Sequence, residues 1–219
     1  MIDGILNLVA PHLCSGCGRV GSLLCDDCKS DITSHPFTGC IICQKQNSRG
    51  VCKSHHLPYA KAWVVGERRD VLQRLIGSFK FLNAKSGARI LAQLLDERLP
   101  ALDNVVVVPV PTISAHIRER GYDHARLIAE QFAKIRKLPF APVIARRSKS
   151  IQKRADRATR DRQARNAFTI IKPLKPNTTY VIVDDIITTG ATLEYAAELL
   201  KRAGASSVWV AALARQPLD

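Results

Sequence analysis

The chain has 219 residues, of which 46% are hydrophobic and 24% are charged, as is ordinary for a soluble globular protein. Its length suffices for a normal domain with a small appended module. No apolar run approaches the roughly 20 residues that cross a bilayer, and residues 1–13 lack a basic n-region, so we expect neither a transmembrane segment nor a signal peptide. The expected location is therefore the cytoplasm.

The charge of the chain is strongly positive. Thirty-three Lys and Arg residues stand against 19 Asp and Glu residues, which gives a net charge of +14. This surplus favours polyanionic partners, namely phosphorylated metabolites, nucleic acid or an anionic membrane surface. The alternative is a basic surface that is only solvated, and the motifs must decide between these interpretations.

Residues 1–58 are predicted to form a metal-binding module, because all seven cysteines lie within the first 52 residues. An odd count without a secretion signal argues against a disulfide framework. The cysteines occur in pairs with two residues between the members, and a histidine completes the last pair. The pairs are Cys14 with Cys17, Cys25 with Cys28, Cys40 with Cys43, and Cys52 with His55.

Each pair has the spacing of a zinc knuckle, and two knuckles supply the tetrahedral shell of one structural zinc ion. In a sequential assignment, as in a double zinc ribbon, the first two pairs share one ion and the last two share another. A crossed assignment stays open, as do His56 in place of His55 and a chance spacing of reduced thiols. Because little apolar sequence lies between the knuckles, we expect metal to supply most of the folding energy of this module.

From about residue 59, apolar strands alternate with amphipathic helices, which predicts a second domain over residues 59–219. Strands are predicted at residues 62–66, 104–108, 180–184 and 207–213. Helices are predicted around residues 71–79, 90–95, 127–132 and 192–202. This alternation predicts an α/β fold with a parallel sheet covered by helices on both faces, whose ligands bind at the carboxyl ends of the strands.

The most informative motif runs from Val181 to Thr192, where an apolar strand delivers Asp184 and Asp185 into a turn rich in threonine and glycine. The amides and hydroxyls of this turn are predicted to bind phosphate at the positive end of the following helix. The two carboxylates are predicted to hold ribose hydroxyls and Mg²⁺. The phosphate-binding residues are Thr188, Thr189, Gly190, Ala191 and Thr192.

Over its whole length this motif resembles the 5-phosphoribosyl-1-pyrophosphate (PRPP) motif of type I phosphoribosyltransferases. In that fold the loop after the strand at 104–108 holds pyrophosphate. Two prolines would stiffen this loop, and two arginines would face the pyrophosphate. The corresponding residues are Val110, Pro111, Thr112, Arg118 and Arg120.

Residues 146–165 carry nine cations against two carboxylates and stand where this fold has its flexible flap. The segment has no aromatic residue for base stacking, so we expect it to contact phosphates. A solvated segment without a ligand is the alternative. The candidate contacts to substrate or nucleic acid are Arg146, Arg147, Arg154, Arg157 and Arg162.

Together these elements resemble the ComF family of competence-associated phosphoribosyltransferase-like proteins across nearly the whole chain. Besides the motifs above, the residues that carry the resemblance are Leu75–Phe81, Pro109–Pro111, Arg120–Asp123, Gln152, Arg162, Asn166 and Phe168. Tyr122 and Asp123 replace the commoner Phe and Asn, and His124 stands where Gln is usual. The resemblance implies a role in handling single-stranded DNA during natural transformation, or in using DNA as a nutrient.

Three functions fit these residues. A PRPP-dependent transferase would displace pyrophosphate from ribose C1. Hypoxanthine-type relatives carry an acidic residue at the position of Thr188, so purine salvage of that kind is disfavoured. A nucleic-acid-handling protein would bind PRPP or strand phosphates, and this is the interpretation that we favour. A regulator would recruit a partner, such as a competence-machinery protein, through its zinc module. His116 and His124 are candidate proton acceptors, but each is expected to be a surface or packing residue.

Overall fold

The structure is a computed structural model that describes residues 12–81, 84–146 and 167–218. In chain order, the strands are β1 (Lys61–Glu67), β2 (Val105–Pro109), β3 (Ile144–Arg146), β4 (Phe168–Ile170), β5 (Thr179–Ile187) and β6 (Ser207–Arg215). β1, β6, β5 and β2 form, in that order, a sheet in which all neighbours are parallel. β3 and β4 form a separate antiparallel pair on either side of residues 147–166.

Helices cover both faces of the parallel sheet. They are α1 (Asp26–Ser34), α2 (Asp70–Phe81), α3 (Ala84–Arg98), α4 (Ser114–Arg120), α5 (His124–Arg136) and α6 (Ala191–Arg202). α2, α3 and α5 share one hydrophobic core with Val181 and Val183 of β5, whereas α6 shares a second core with Ile182. Because successive strand residues point to opposite faces, a strand buried on both sides must be apolar throughout, which explains the continuous valine and isoleucine runs.

The cysteine-rich segment packs directly against this α/β unit. Cys14, Cys28 and Ile32 belong to the core beneath α2, whereas Phe37 and Ile41 belong to the core beneath α6. Ile41 is fully buried. Burial of apolar side chains therefore adds to the stability that a bound metal would give this module. The domain boundary near residue 58 stays a prediction.

A half-buried arginine joins the two parts of the chain on the side of α3. Arg98, the last residue of α3, donates from Nε to the carbonyl oxygen of Val64 at 2.9 Å. Its Nη2 donates to the carbonyl oxygen of Phe37 at 2.8 Å. One guanidinium group thus links a helix, the edge strand β1 and the segment between the cysteine pairs, because its fork satisfies two backbone acceptors at once.

The predicted strands and helices are confirmed, with one difference that affects the site. β5 does not end at Asp184 but continues to Ile187, so both carboxylates lie within the strand. Local sequence patterns did not predict α1, α4, β3 or β4. α4 has seven residues and none is buried, so it leaves no apolar periodicity to detect. Among the described residues, no helix combines the length and the apolar character that a bilayer span requires.

Candidate functional site

The turn between β5 and α6 presents hydroxyl groups to solvent. Thr188, Thr189 and Thr192 are exposed, whereas Gly190 between them is buried. Gly190 has a φ of 84°, a left-handed conformation that glycine adopts without strain. It precedes α6, so the amides of the first turn of that helix lie beside the hydroxyls, and the amide of Ala191 donates to Oγ1 of Thr189 at 3.4 Å. The structure thus brings together the predicted residues 188–192 in an arrangement that suits an anion.

The two adjacent carboxylates before this turn have different environments. Neighbouring residues of a strand point to opposite faces, so Asp184 and Asp185 do not lie side by side. Asp185 is only 6% exposed, and Asp184 is half-buried. One oxygen of each carboxylate accepts the next amide of the chain, from Asp185 N and from Ile186 N, both at 2.8 Å. The acids therefore help to fix the backbone at the end of β5.

His124, the first residue of α5, contacts the buried carboxylate. Its Nε2 lies 3.1 Å from Oδ2 of Asp185, and its Nδ1 lies 3.0 Å from Nη1 of Arg120. A guanidinium group can only donate, so Nδ1 must accept, and the proton of the neutral ring is then on Nε2, the nitrogen that lies next to Asp185. His124 is 6% exposed. It was expected to be a surface or packing residue, whereas the structure makes it the link between Arg120 and Asp185.

This histidine was the functional candidate that sequence reasoning undervalued. Its carboxylate partner lies on another element, so no local spacing indicates the contact. The signal that could have found it is its place directly after the Arg120–Asp123 segment. His116, by contrast, is exposed on α4, as expected.

The loop after β2 is anchored at both ends. The amide of Val110 donates to the carbonyl oxygen of Val183 at 2.9 Å, which holds the loop beside β5. The hydroxyl of Thr112 donates to Oδ1 of Asp123 at 2.7 Å. The same carboxylate oxygen caps α5 by accepting the amide of Arg126 at 3.1 Å. The loop that was predicted to hold pyrophosphate is therefore tied to β5 and to the helix that carries His124.

The side chains of Arg118 and Arg120 point in different directions. Residues two apart on a helix do not face each other, and Arg118 and Arg120 follow that rule. Arg118 is exposed, whereas Arg120 is half-buried against His124. Of these two arginines, Arg120 is the one whose described hydrogen bond leads to His124, which in turn contacts Asp185 of β5. The structure therefore brings Arg120, rather than both arginines, into this network.

Most of the predicted flap contacts lie outside the described residues, namely Arg147, Arg154, Arg157 and Arg162. Arg146 ends β3, and its guanidinium carbon lies 5.3 Å from the centre of the Phe168 ring on β4. That distance suits a cation–π contact. The two strands that bracket the basic segment are therefore joined by this contact as well as by their pairing.

The eight predicted metal ligands form two clusters. Cys14, Cys17, Cys25 and Cys28 form one, and Cys40, Cys43, Cys52 and His55 form the other. Within each cluster the ligand atoms all lie within 4.8 Å of one another. The structure thus groups the pairs sequentially, with His55 rather than His56.

The distances between sulfur atoms fit a tetrahedral zinc site. Sγ of Cys25 lies 3.7 Å from Sγ of Cys14 and also 3.7 Å from Sγ of Cys17. In the second cluster, Sγ of Cys43 lies 3.8 Å from Sγ of Cys52. Zinc–sulfur bonds of about 2.3 Å in a tetrahedron place the sulfurs about 3.8 Å apart. Both clusters are therefore able to hold zinc without rearrangement.

The imidazole of His55 gives a second indication of a metal. Its Nε2 atom is buried and makes no hydrogen bond within the described part of the chain. An unpaired buried nitrogen costs free energy unless it has a ligand. Coordination to zinc would use the lone pair of that nitrogen.

Thiolates are available in both clusters near neutral pH. Burial opposes ionisation of Cys14, but backbone hydrogen bonds from Cys17, Cys25 and Gly16 outweigh it and lower the pKa of the thiol to about 6. The hydroxyl of Ser54 lowers the pKa of the Cys52 thiol to about 7. Since zinc binds the thiolate form, each cluster offers an ionised ligand under ordinary conditions.

Comparison with known proteins gives a consistent result. Residues 82–219 match the family model described as the phosphoribosyl transferase domain. Competence protein F of Haemophilus influenzae is 30% identical over 210 residues, which cover 88% of this chain and 90% of that protein. DNA utilization protein YhgH of Salmonella typhi is 30% identical over 217 residues, covering 93% of this chain and 90% of that protein.

Similarity also extends to solved structures. The structure of the allosteric regulatory enzyme of purine biosynthesis aligns with 62% of this chain, at 17% identity and a TM-score of 0.45. The alignment spans only 29% of that enzyme chain.

The zinc content of the protein should follow the two clusters. We expect the purified full-length chain to contain about two zinc ions. Cys17→Ser and Cys43→Ser should each remove about one ion, because each removes one of four ligands from a different shell. Elemental mass spectrometry after dialysis against a weak chelator measures the number of zinc ions per chain. A chain without zinc, or one that loses both ions with either substitution, would contradict two independent sites.

The tautomer of His124 should be fixed by its two partners. We expect nitrogen NMR spectra to show that the neutral ring carries its proton on Nε2, because Arg120 occupies Nδ1. The exposed His116 serves as the control and should show a mixture of tautomers. Arg120→Met should release the constraint on His124. A proton on Nδ1 of neutral His124 in the unaltered protein would show that the network is wrong.

Proposed function

The chain belongs to the ComF family of phosphoribosyltransferase-domain proteins, and we propose that it binds PRPP with Mg²⁺ and acts on incoming single-stranded DNA. The observation that carries the first part is the strand, turn and helix from β5 to α6. There, two carboxylates stand before a turn of exposed hydroxyls at the start of a helix. Amides at a helix start suit a phosphate group, and carboxylates suit Mg²⁺.

In this proposal the 5′-phosphate of PRPP binds to residues 188–192. The positive end of α6 and the amides of its first turn would stabilise the negative charge, and the exposed threonine hydroxyls would donate hydrogen bonds. Gly190 supports this assignment, because a left-handed residue in a turn is a feature of the nests in which backbone amides bind anions.

Asp184 and Asp185 are proposed to bind the ribose and its Mg²⁺, with different tasks. Asp184, the less buried acid, would contact a hydroxyl or the metal directly. Oδ2 of Asp185 lies 3.1 Å from Nε2 of His124, so this acid would be held in a fixed orientation close to the site. When bound, Mg²⁺ would neutralise the charge of the pyrophosphate group.

Pyrophosphate is proposed to bind the loop of Val110, Pro111 and Thr112 together with arginines. Arg120 is already oriented by His124, whereas the exposed Arg118 would turn towards the ligand. Charge-assisted hydrogen bonds from guanidinium groups are the strongest that a protein offers to phosphate. The arginines at 146, 147, 154, 157 and 162 would supply further contacts from the flap.

The DNA part of the proposal is supported by the relatives and by charge. The two curated relatives are named as a competence protein and a DNA utilization protein. The net charge of +14 suits a polyanionic strand. We propose that the chain acts in the cytoplasm, with structural zinc in both clusters and with a protein of the competence machinery as a further partner.

A transferase with an unidentified acceptor is the second candidate. It is favoured by the match of residues 82–219 to the phosphoribosyl transferase domain. The chain would then hold the ribose through its carboxylates while arginines stabilise the departing pyrophosphate. Release of pyrophosphate in the presence of an acceptor distinguishes this candidate from a protein that only binds PRPP.

The PRPP site is tested by removing the two charges. Replacing Asp184 and Asp185 together by Asn keeps their size but removes the ligands for Mg²⁺ and ribose. We expect the affinity for Mg–PRPP, measured by calorimetry, to fall by about 100-fold or more, because hydrogen bonds to charged groups are lost. Glu198→Gln, a carboxylate further along α6, is the matched control and should bind normally. Unchanged affinity in a folded double variant would contradict the proposal.

The DNA proposal predicts a strong salt dependence. We expect single-stranded DNA binding, followed by fluorescence anisotropy, to weaken with salt with a log–log slope of about −0.7 per phosphate contact. Replacing Arg154, Arg157 and Arg162 by Gln should reduce the magnitude of this slope by about 2. The control replaces the exposed cations Arg49, Arg89 and Lys134 by Gln. Equal slopes for both triple variants would exclude the flap as the DNA contact.

A further inference from the structure

The second cysteine cluster lies against the proposed phosphate site. Its knuckle turn, residues 40–43, contacts the turn before α6 through the side chain of Ile42. A methyl group built on Gly190 would lie 2.8 Å from Cδ1 of Ile42, a distance at which one of them has to move. Gly190 therefore provides both a left-handed backbone and the space that Ile42 occupies.

A buried guanidinium fastens the same two turns together. Arg215 ends β6 and is 1% exposed. Its Nε donates to the carbonyl oxygen of Ile41 at 2.5 Å, and its Nη2 donates to that of Ile42 at 3.4 Å. Its Nη1 donates to the carbonyl oxygen of Ile187 at 3.3 Å. Ile187 directly precedes Thr188, so one side chain connects the knuckle turn to the residue just before the turn at residues 188–192.

A second set of hydrogen bonds repeats this connection. Gln44 follows the knuckle and donates from Nε2 to the carbonyl oxygen of Gln216 at 2.9 Å. The amide of Gln216 in turn donates to the carbonyl oxygen of Ile187 at 2.8 Å. Arg215 also donates from Nη1 to the carbonyl oxygen of Gln216 at 2.5 Å, so two connected routes run from the second cluster to the end of β5.

The first cluster is fastened to a different part of the fold. Arg74 of α2 donates from Nε to the carbonyl oxygen of Ser15 at 3.0 Å and from Nη2 to that of Gly16 at 3.1 Å. Lys29 of α1 forms an ion pair with Glu97 of α3 at 2.5 Å. The described hydrogen bonds thus tie this cluster to helices beneath the other face, away from the phosphate turn.

We propose that the second cluster supports the phosphate turn, with Ile42 and Arg215 as positioning residues, so that metal at this cluster controls the affinity for PRPP. The inference rests on the proposed PRPP function. Zinc on Cys40 and Cys43 would hold the carbonyl groups of Ile41 and Ile42 within hydrogen-bonding distance of Arg215. Without it, the knuckle loses its order, and the turn at residues 188–192 loses its support.

The test compares the two clusters in the full-length chain. Cys43→Ser should abolish metal binding at the second cluster, increase hydrogen exchange in the peptide covering residues 186–192, and weaken Mg–PRPP binding. If the turn is then ordered about a tenth of the time, the apparent affinity falls about tenfold. Cys17→Ser is the matched control for the first cluster and should leave both exchange and affinity unchanged.

A second variant keeps all metal ligands. Ile42→Ala removes the contact with Gly190 but none of the cysteines, so zinc content should stay at about two ions. We expect faster exchange at residues 186–192 and weaker binding than in the unaltered chain. Val20→Ala, on the exposed surface of the first knuckle, is its control. This variant decides the question if Cys43→Ser does not fold.

The possible outcomes separate this inference from the proposed function. If the unaltered chain binds no PRPP, the proposed function fails, and the exchange data alone decide whether the cluster supports the turn. If Cys43→Ser and Ile42→Ala leave exchange at residues 186–192 unchanged, the coupling is overturned. Equal losses of affinity in Cys17→Ser and Cys43→Ser would overturn it as well, because the effect would then be general destabilisation.

Discussion

The buried guanidinium of Arg215 is the interaction on which the arrangement of the whole chain depends. A buried cation is costly unless polar groups replace the water that it loses. Here the replacement comes from carbonyl oxygens of Ile41, in the cysteine-rich segment, and of Ile187, at the end of β5. The two parts of the chain cannot separate without leaving this charge unsatisfied. The cysteine-rich segment therefore packs against the α/β unit and also helps to fix the end of β5 at the candidate site.

The second constraint is the alternation of side chains along β5. Val181 and Val183 pack beneath α3 and α5, and Ile182 packs beneath α6, so the strand has no exposed face. When the same alternation reaches Asp184 and Asp185, it gives two neighbouring acids two different environments. Only Asp185 meets His124. One acid thus lies beside an imidazole, while the other is half-buried and more accessible to a ligand.

Sequence alone predicted the parallel sheet, its covering helices and the turn between β5 and α6, because long buried strands and a threonine–glycine turn have strong local patterns. It could not decide the pairing of the knuckles, since a spacing of two residues fits either arrangement. It also missed the contact between His124 and Asp185 and the extension of β5 to Ile187. Such features depend on contacts between distant segments, for which a single sequence has no periodic signal.

The most direct test of the account is a crystal structure of the zinc-loaded protein with PRPP and Mg²⁺. We expect the 5′-phosphate oxygens to lie within about 3.2 Å of the amides and hydroxyls of residues 188–192. We also expect pyrophosphate beside Arg120, Ile42 against Gly190, and an intact hydrogen bond from Arg215 to Ile187. PRPP bound at another surface, with the turn at residues 188–192 empty, would contradict the central claim.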